Sequence, residues 1–126
     1  MPQKILVVDD DILVLRALQD LLVAEGYEVA TSTRGQEALE ILEQEYFDLI
    51  ILDVVMPKMT GFDVCRAIRA REDEKQNIKI IMLTAKTDSR DLDLGEESGC
   101  DLYITKPIDP GKLKQIIHGT LGVTSR

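Results

Sequence analysis

Basic residues are in short supply. Lys plus Arg number 15 against 23 Asp plus Glu, a net charge of -8. A surface of that sign repels phosphate backbones, which argues against direct nucleic-acid binding. It is also the wrong sign for anionic membranes. Cysteine is scarce as well. Cys65 and Cys100 are far apart and in no metal-ligand spacing. That excludes a disulfide framework or a cysteine-rich metal site and leaves two reduced thiols. Long apolar runs are missing: no stretch approaches the roughly 20 residues of a membrane span. The first residues lead into a short apolar run that stops at Asp9, which is no signal-peptide pattern. There is no repeat, linker or low-complexity tract. The expectation is a cytoplasmic protein without membrane association.

What is present is an ordinary globular mix, with 44% apolar and 30% charged residues over 126 positions. That length favours one domain with a real core, expected from about residue 4 to 121. Short β-rich runs alternate with helix-like segments. Lys4 to Val8 reads as a buried strand ended by Asp9, Asp10 and Asp11. Ile12 to Glu25 reads as a helix, with Ile12, Leu15, Leu18 and Leu22 at helical spacing and Gly26 suited to its end. Tyr27 to Thr31 is a second strand, Arg34 to Glu45 a helix, and Phe47 to Leu52 an apolar strand running into Asp53. A helix follows from about Phe62 to Arg71, then a strand from Ile78 to Leu83. Ser89 to Ser98 is a weaker helical segment, Leu102 to Thr105 a fifth strand, and a last helix starts near Asp109 and Pro110. This alternation predicts an α/β fold with a parallel sheet covered by helices on both faces.

The polar residues at strand ends carry the chemistry. Asp9 and Asp10, Asp53, Thr84 and Lys106 each follow an apolar strand. In an open parallel sheet, carboxyl ends of strands are where ligands bind. Crowded carboxylates repel and call for a hard cation such as Mg²⁺, with Mn²⁺ as a substitute. Asp53 could serve as ligand and nucleophile, since carboxylates form acyl phosphates. Lys106 and the Thr84 hydroxyl would stabilise charge on a transferring phosphoryl group. A single strand-end Asp usually only caps the next helix, the role expected of Asp11. It is the joint occurrence of these residues that speaks for a site.

Together these pieces resemble the receiver domain of two-component response regulators. The matching stretches are Val7 to Asp11, Leu52 to Pro57 with Gly61 to Asp63 following, Leu83 to Ala85, and Gly99 to Pro107. The resemblance implies a flavodoxin-like (βα)5 doubly wound sheet of strand order 2-1-3-4-5. It implies that Asp53 is the phosphoacceptor in a phosphorelay. Asp10 and Asp53 would bind the metal directly, Asp9 partly through water, and Val55 through its backbone carbonyl. Lys106 would pair with Asp53 and then with its phosphate, across a cis peptide to Pro107. Thr84 would be the switch hydroxyl and Tyr103 the aromatic switch. The phosphodonor would be a sensor histidine kinase or phosphotransfer protein. Output would pass to a protein partner through the face made by the fourth helix, fifth strand and fifth helix.

Three departures stand out. Val55 and Lys86 occupy positions expected to tune the lifetime of the phosphate: Val55 offers no amide or carboxylate to steer water, and with a long Lys86 nearby it is expected to slow hydrolysis. Val55 also stands where aspartyl-phosphate phosphatases commonly need a second Asp, which disfavours an enzyme of that kind. The complete acidic, Lys and Thr set likewise disfavours a degenerate receiver that only binds partners. In the fourth helix Arg90, Asp93 and Glu96 replace apolar residues, Leu92 and Leu94 share no face, and Gly95 weakens it. That helix is expected to be short, mobile or displaced. The fifth helix lacks the charge pattern of the family's DNA-binding dimers, so a monomer is expected.

Overall fold

The computed structural model describes residues 2–85 and 89–122. Five strands alternate with five α-helices: β1 (Lys4–Val8), α1 (Ile12–Ala24), β2 (Glu28–Ser32), α2 (Gly35–Gln44), β3 (Leu49–Leu52), α3 (Gly61–Arg69), β4 (Lys79–Thr84), α4 (Ser89–Ser98), β5 (Leu102–Thr105) and α5 (Pro110–Thr120). The sheet is parallel, in the order β2-β1-β3-β4-β5. The fold is thus the doubly wound one expected from the sequence.

The strand sequences explain the layering. Successive side chains of a strand point to opposite faces. Leu6, Val8, Ile50, Leu52, Ile80 and Met82 join one core with Ala38 and Leu42 of α2 and Val64, Cys65 and Ile68 of α3. Their neighbours Ile5, Val7, Leu49, Ile51, Ile81 and Leu83 join a second core with Leu15, Leu18 and Leu22 of α1 and Leu113 and Ile117 of α5. Central strands buried on both faces read as near-continuous apolar runs, as Ile5 to Val8 of β1, Leu49 to Leu52 of β3 and Ile80 to Leu83 of β4 do.

Helix ends follow their local chemistry. Asp11 caps α1 by accepting from the Leu13 N–H at 2.9 Å. Gly26 follows that helix with φ of 93°. Thr60 and Asp63 form a reciprocal capping box on α3. Pro110 opens α5 behind an Asp109 cap. Phe47 lies ahead of β3 rather than in it, with its ring in the first core. A single 3-10 turn, Glu74–Asn77, has no counterpart in the sequence reading; the Asp73 side chain starts it by accepting from the Lys75 N–H.

The fourth helix differs from expectation. It runs for 10 residues, as long as α2. Leu94 packs into the first core while Leu92 stays 44% exposed, so the two leucines do face apart. The loss of apolar residues is offset by polar anchoring near its end. Ser98 is buried and its Oγ donates to the Gly95 carbonyl at 2.6 Å. The Cys65 thiol of α3 donates to the Ser98 carbonyl at 3.2 Å.

Arg69 ties this half of the sheet together. Its guanidinium donates to the carbonyls of Gly99, Gln76 and Ile78 at 2.8, 2.6 and 2.7 Å, and to the Asp101 carboxylate at 2.9 Å. Asp101 also accepts from the Ile80 N–H at 2.7 Å. A planar guanidinium satisfies several acceptors at once in a way that Lys cannot. Removing it leaves those acceptors with only what water can reach. Arg69→Ala is expected to destabilise the fold by about 2–3 kcal/mol in chemical denaturation, with Arg69→Lys recovering less than half of the loss.

Candidate phosphoacceptor site

The ladder places the acids. The Asp9 N–H donates to the Ser32 carbonyl at 3.1 Å and the Asp53 N–H to the Val8 carbonyl at 2.9 Å. Both residues therefore extend their strands by one position, at the carboxyl edge of the sheet. Asp9 is 2% exposed and Asp53 8% exposed, while Asp10 faces solvent. One oxygen of each of Asp9, Asp10 and Asp53 lies within 4.8 Å of the others.

Buried carboxylates need compensation, since a desolvated charge without a partner is strongly unfavourable. Lys106 supplies it. Its Nζ donates to Asp9 Oδ2 at 2.8 Å and lies 3.5 Å from Asp53 Oδ2. The Lys106 N–H donates to the Thr84 carbonyl at 2.8 Å, and the Lys106–Pro107 peptide is cis. Asp9 Oδ1 accepts from the Asp11 N–H at 2.9 Å. Asp53 Oδ1 has a longer bond, 3.3 Å from the Val55 N–H. Asp9 is thus the more firmly held acid, and Asp53 is the one with shorter bonds still to make.

The two groups of the closest pair both titrate high, for different reasons. Burial pushes the Asp9 carboxyl above its usual range, against the Lys106 and Asp11 hydrogen bonds, and the Asp53 charge adds to the rise. Burial works against the Lys106 ammonium, but the bond to Asp9 and the nearby carboxylate charges outweigh it and hold its pKa above the usual value.

A family model for the response regulator receiver domain matches residues 5–118. The chain belongs to the response regulator receiver family. It is 45% identical over 119 residues to the probable transcriptional regulator ycf27 of Cyanophora paradoxa, covering 94% of this chain and 48% of that protein. It is 45% identical over 121 residues to the DNA-binding response regulator MtrA of Mycobacterium leprae (strain TN), covering 96% and 52%. The chain therefore spans about half the length of the curated relatives it matches. Among solved structures it resembles a CheY-like receiver domain protein from Methanospirillum hungatei JF-1, with a TM-score of 0.90 and 30% identity over 97% of this chain and 95% of that one. It also resembles the receiver domain of sensor histidine kinase PA1611 from Pseudomonas aeruginosa PAO1, which has a magnesium ion coordinated in its active-site cleft. There the TM-score is 0.88 with 29% identity, over 97% and 99% of the two chains.

Within this receiver, Asp9, Asp10, Asp53 and Lys106 come together. Thr84 is fully buried where β4 ends, one position beyond the Leu83–Ile104 pair and opposite Thr105. Tyr103 is half-buried on β5 and packs on the first core rather than beside Asp53. The Val55 side chain is 49% exposed on the loop after Asp53. Lys86 lies outside the described residues.

Gly61 is the residue to which sequence reasoning gave no role. A Cβ there would fall 2.4 Å from the Asp53 carbonyl oxygen and 2.9 Å from Val54 Cα. Its N–H donates to the Val54 carbonyl at 3.0 Å, so the start of α3 lies directly against the backbone that follows Asp53. The signal was present as a glycine opening an apolar helix, where any good helix former would otherwise serve. Lys58, with φ of 69°, completes the tight return of the loop. Because misplacement by about 1 Å can cost about 10²-fold in rate, Gly61→Ala is expected to slow modification of Asp53 by a factor of that order. Single-turnover labelling beside a circular-dichroism check of folding measures it.

Proposed function

We propose that this receiver accepts a phosphoryl group on Asp53 from a phosphohistidine and passes the signal on through the face formed by α4, β5 and α5. The single observation that carries the reading is the meeting of three carboxylates with one ammonium, in which Asp53 holds the weaker bonds. The unit is read as one receiver domain with its core from about residue 4 to 121, acting as a signalling phosphoacceptor and not as a turnover enzyme.

An Asp53 carboxylate oxygen attacks phosphorus in line. The P–O bond forms as the P–N bond of the phosphohistidine breaks, and the imidazole leaves with the bonding electron pair. Lys106 moves its bond from Asp9 toward the phosphoryl oxygens, and the Thr84 hydroxyl donates to another. Three oxygen donors so close together suit a hard divalent cation. Asp10 and Asp53 would hold Mg²⁺ directly, with Asp9 partly through water and the Val55 carbonyl as a further ligand; bound there, it offsets the carboxylate charges and draws charge from the phosphoryl oxygens. The new phosphate charge then biases Thr84 and Tyr103, and with them the output face, in a two-state shift.

An apolar groove of about 390 Å³ opens beside Lys106, lined by Val14, Leu18 and Leu21 of α1 and by Pro107, Ile108 and Leu113. It gives a histidine kinase or phosphotransfer protein a surface next to the acceptor. The charge of -8 disfavours direct contact of this segment with nucleic acid. Any DNA contact, of the kind named for MtrA, is assigned to chain or partner outside it.

With Mg²⁺ and acetyl phosphate, intact-mass measurement is expected to show one added phosphoryl group on the wild type. Asp53→Asn, and wild type stripped of metal by a chelator, are expected to show none. An unmodified wild type would sink the reading. Once formed, the acyl phosphate is expected to decay about tenfold faster in Val55→Asn, because an amide at the mouth of the site can orient water where valine cannot. Equal lifetimes would remove Val55 from the account.

A further inference from the structure

We propose that Gly95 is a positioning residue for output: it forms the bare floor on which the Tyr103 ring sits, and so couples the ring to α4. The proposal rests on the reading of Asp53 as the input, and it concerns a residue that takes no part in phosphoryl transfer.

The geometry leaves no room for a side chain. A Cβ on Gly95 would lie 2.6 Å from Tyr103 Cδ2, 3.0 Å from Cε2 and 3.6 Å from Cγ. Carbon atoms in good contact sit about 3.5–4.0 Å apart. The obstacle is the body of a ring close to its own backbone, not the far end of a flexible chain. Relief therefore requires one of the two backbones to retreat, or the ring to change its χ1 well.

Neither backbone is free to retreat. The Gly95 carbonyl is held by Ser98 Oγ at 2.6 Å and by the Cys100 thiol at 3.2 Å. Ser98 is itself buried and accepts from Cys65 of α3. On the other side, Tyr103 is paired in register with Met82 of β4. An added Cβ would therefore press on the ring itself. It sits on the same sheet face as Thr84, because Met82 and Thr84 are two apart on β4 and residues two apart share a face. A shift of Thr84 toward a phosphate would thus open space on the face where the ring lies.

Composition supports the same point. A glycine inside a helix destabilises it by about 1 kcal/mol relative to alanine. Helix α4 already has few apolar anchors, and Leu94 is its residue packed on the first core. A buried Gly95 in so marginal a helix is explained by what it admits, which is the ring. The contact also gives α4 a direct mechanical link to the switch strand.

The test is a double-mutant cycle read by thermal melting, with ring resonances of fluorotyrosine-labelled protein as the second readout. Gly95→Ala is expected to lower Tm in the wild type and to raise it in a Tyr103→Ala background, where the ring is gone and only helix propensity remains. A loss of equal size in both backgrounds would overturn the proposal. In the labelled protein, the Tyr103 resonance, assigned by its absence in Tyr103→Phe, is expected to shift on adding Mg²⁺ and acetyl phosphate. In Gly95→Ala it is expected to be displaced before the phosphodonor is added and to respond less than half as much, at an unchanged phosphorylated fraction by intact mass. A full response in Gly95→Ala would also overturn it. Absence of any phosphorylation in both proteins would instead strike the reading of Asp53, leaving the melting cycle to decide on Gly95.

Discussion

Three carboxylates whose oxygens lie within 4.8 Å of one another repel, and the parallel sheet holds Asp9 and Asp53 side by side regardless. Lys106, at the end of β5, makes this tolerable from two strands beyond Asp53 and three beyond Asp9, reaching Asp9 at 2.8 Å and Asp53 at 3.5 Å. Much of the molecule serves that arrangement. Apolar strands carry the acids to one edge, the capped start of α1 turns Asp11 back onto Asp9, and Gly61 keeps the loop after Asp53 pressed against it. The unequal sharing of Lys106 leaves one acid satisfied and the other receptive. On the proposed reading, a divalent cation and a phosphate would together complete what one lysine only begins.

On the proposed reading, the second half of the sheet has a different task, which is to hold an output face that can still move. There polar bonds do what apolar packing does around α1 and α2. Arg69 gathers three carbonyls and the Asp101 carboxylate, and Ser98 with the two cysteines fixes the end of α4. Apolar packing between α4 and β5 is thin, and the Tyr103 ring over Gly95 is its core. An element fixed at its end and lightly held along its length can shift without the sheet being disturbed.

The fold and the acid–lysine cluster were legible because both follow from local rules. Strand alternation, a cap at Asp11 and a polar residue at the end of each central apolar run are visible within a few residues, and the parallel sheet then brings distant strand ends together. Gly95 was read only as a weakness of α4, because the ring it meets lies eight positions later on another element. Gly61 was quoted within a motif without a role, since only the folded loop reveals how close the Asp53 carbonyl lies. Arg69 was passed over because three of its four acceptors are backbone carbonyls, which leave no mark in a sequence. Helix α4 reached a full 10 residues despite poor apolar patterning because the bonds at its end are side chain to backbone.

The central claim is that Asp53, and not its better-held neighbour Asp9, is the acid that receives the phosphoryl group. The direct measurement is to treat the protein with Mg²⁺ and acetyl phosphate, reduce the acyl phosphate with borohydride, and map the product by peptide mass spectrometry. The account predicts homoserine at position 53 and nowhere else. Reduction product at position 9 or 10, or none at all in folded protein, would contradict it.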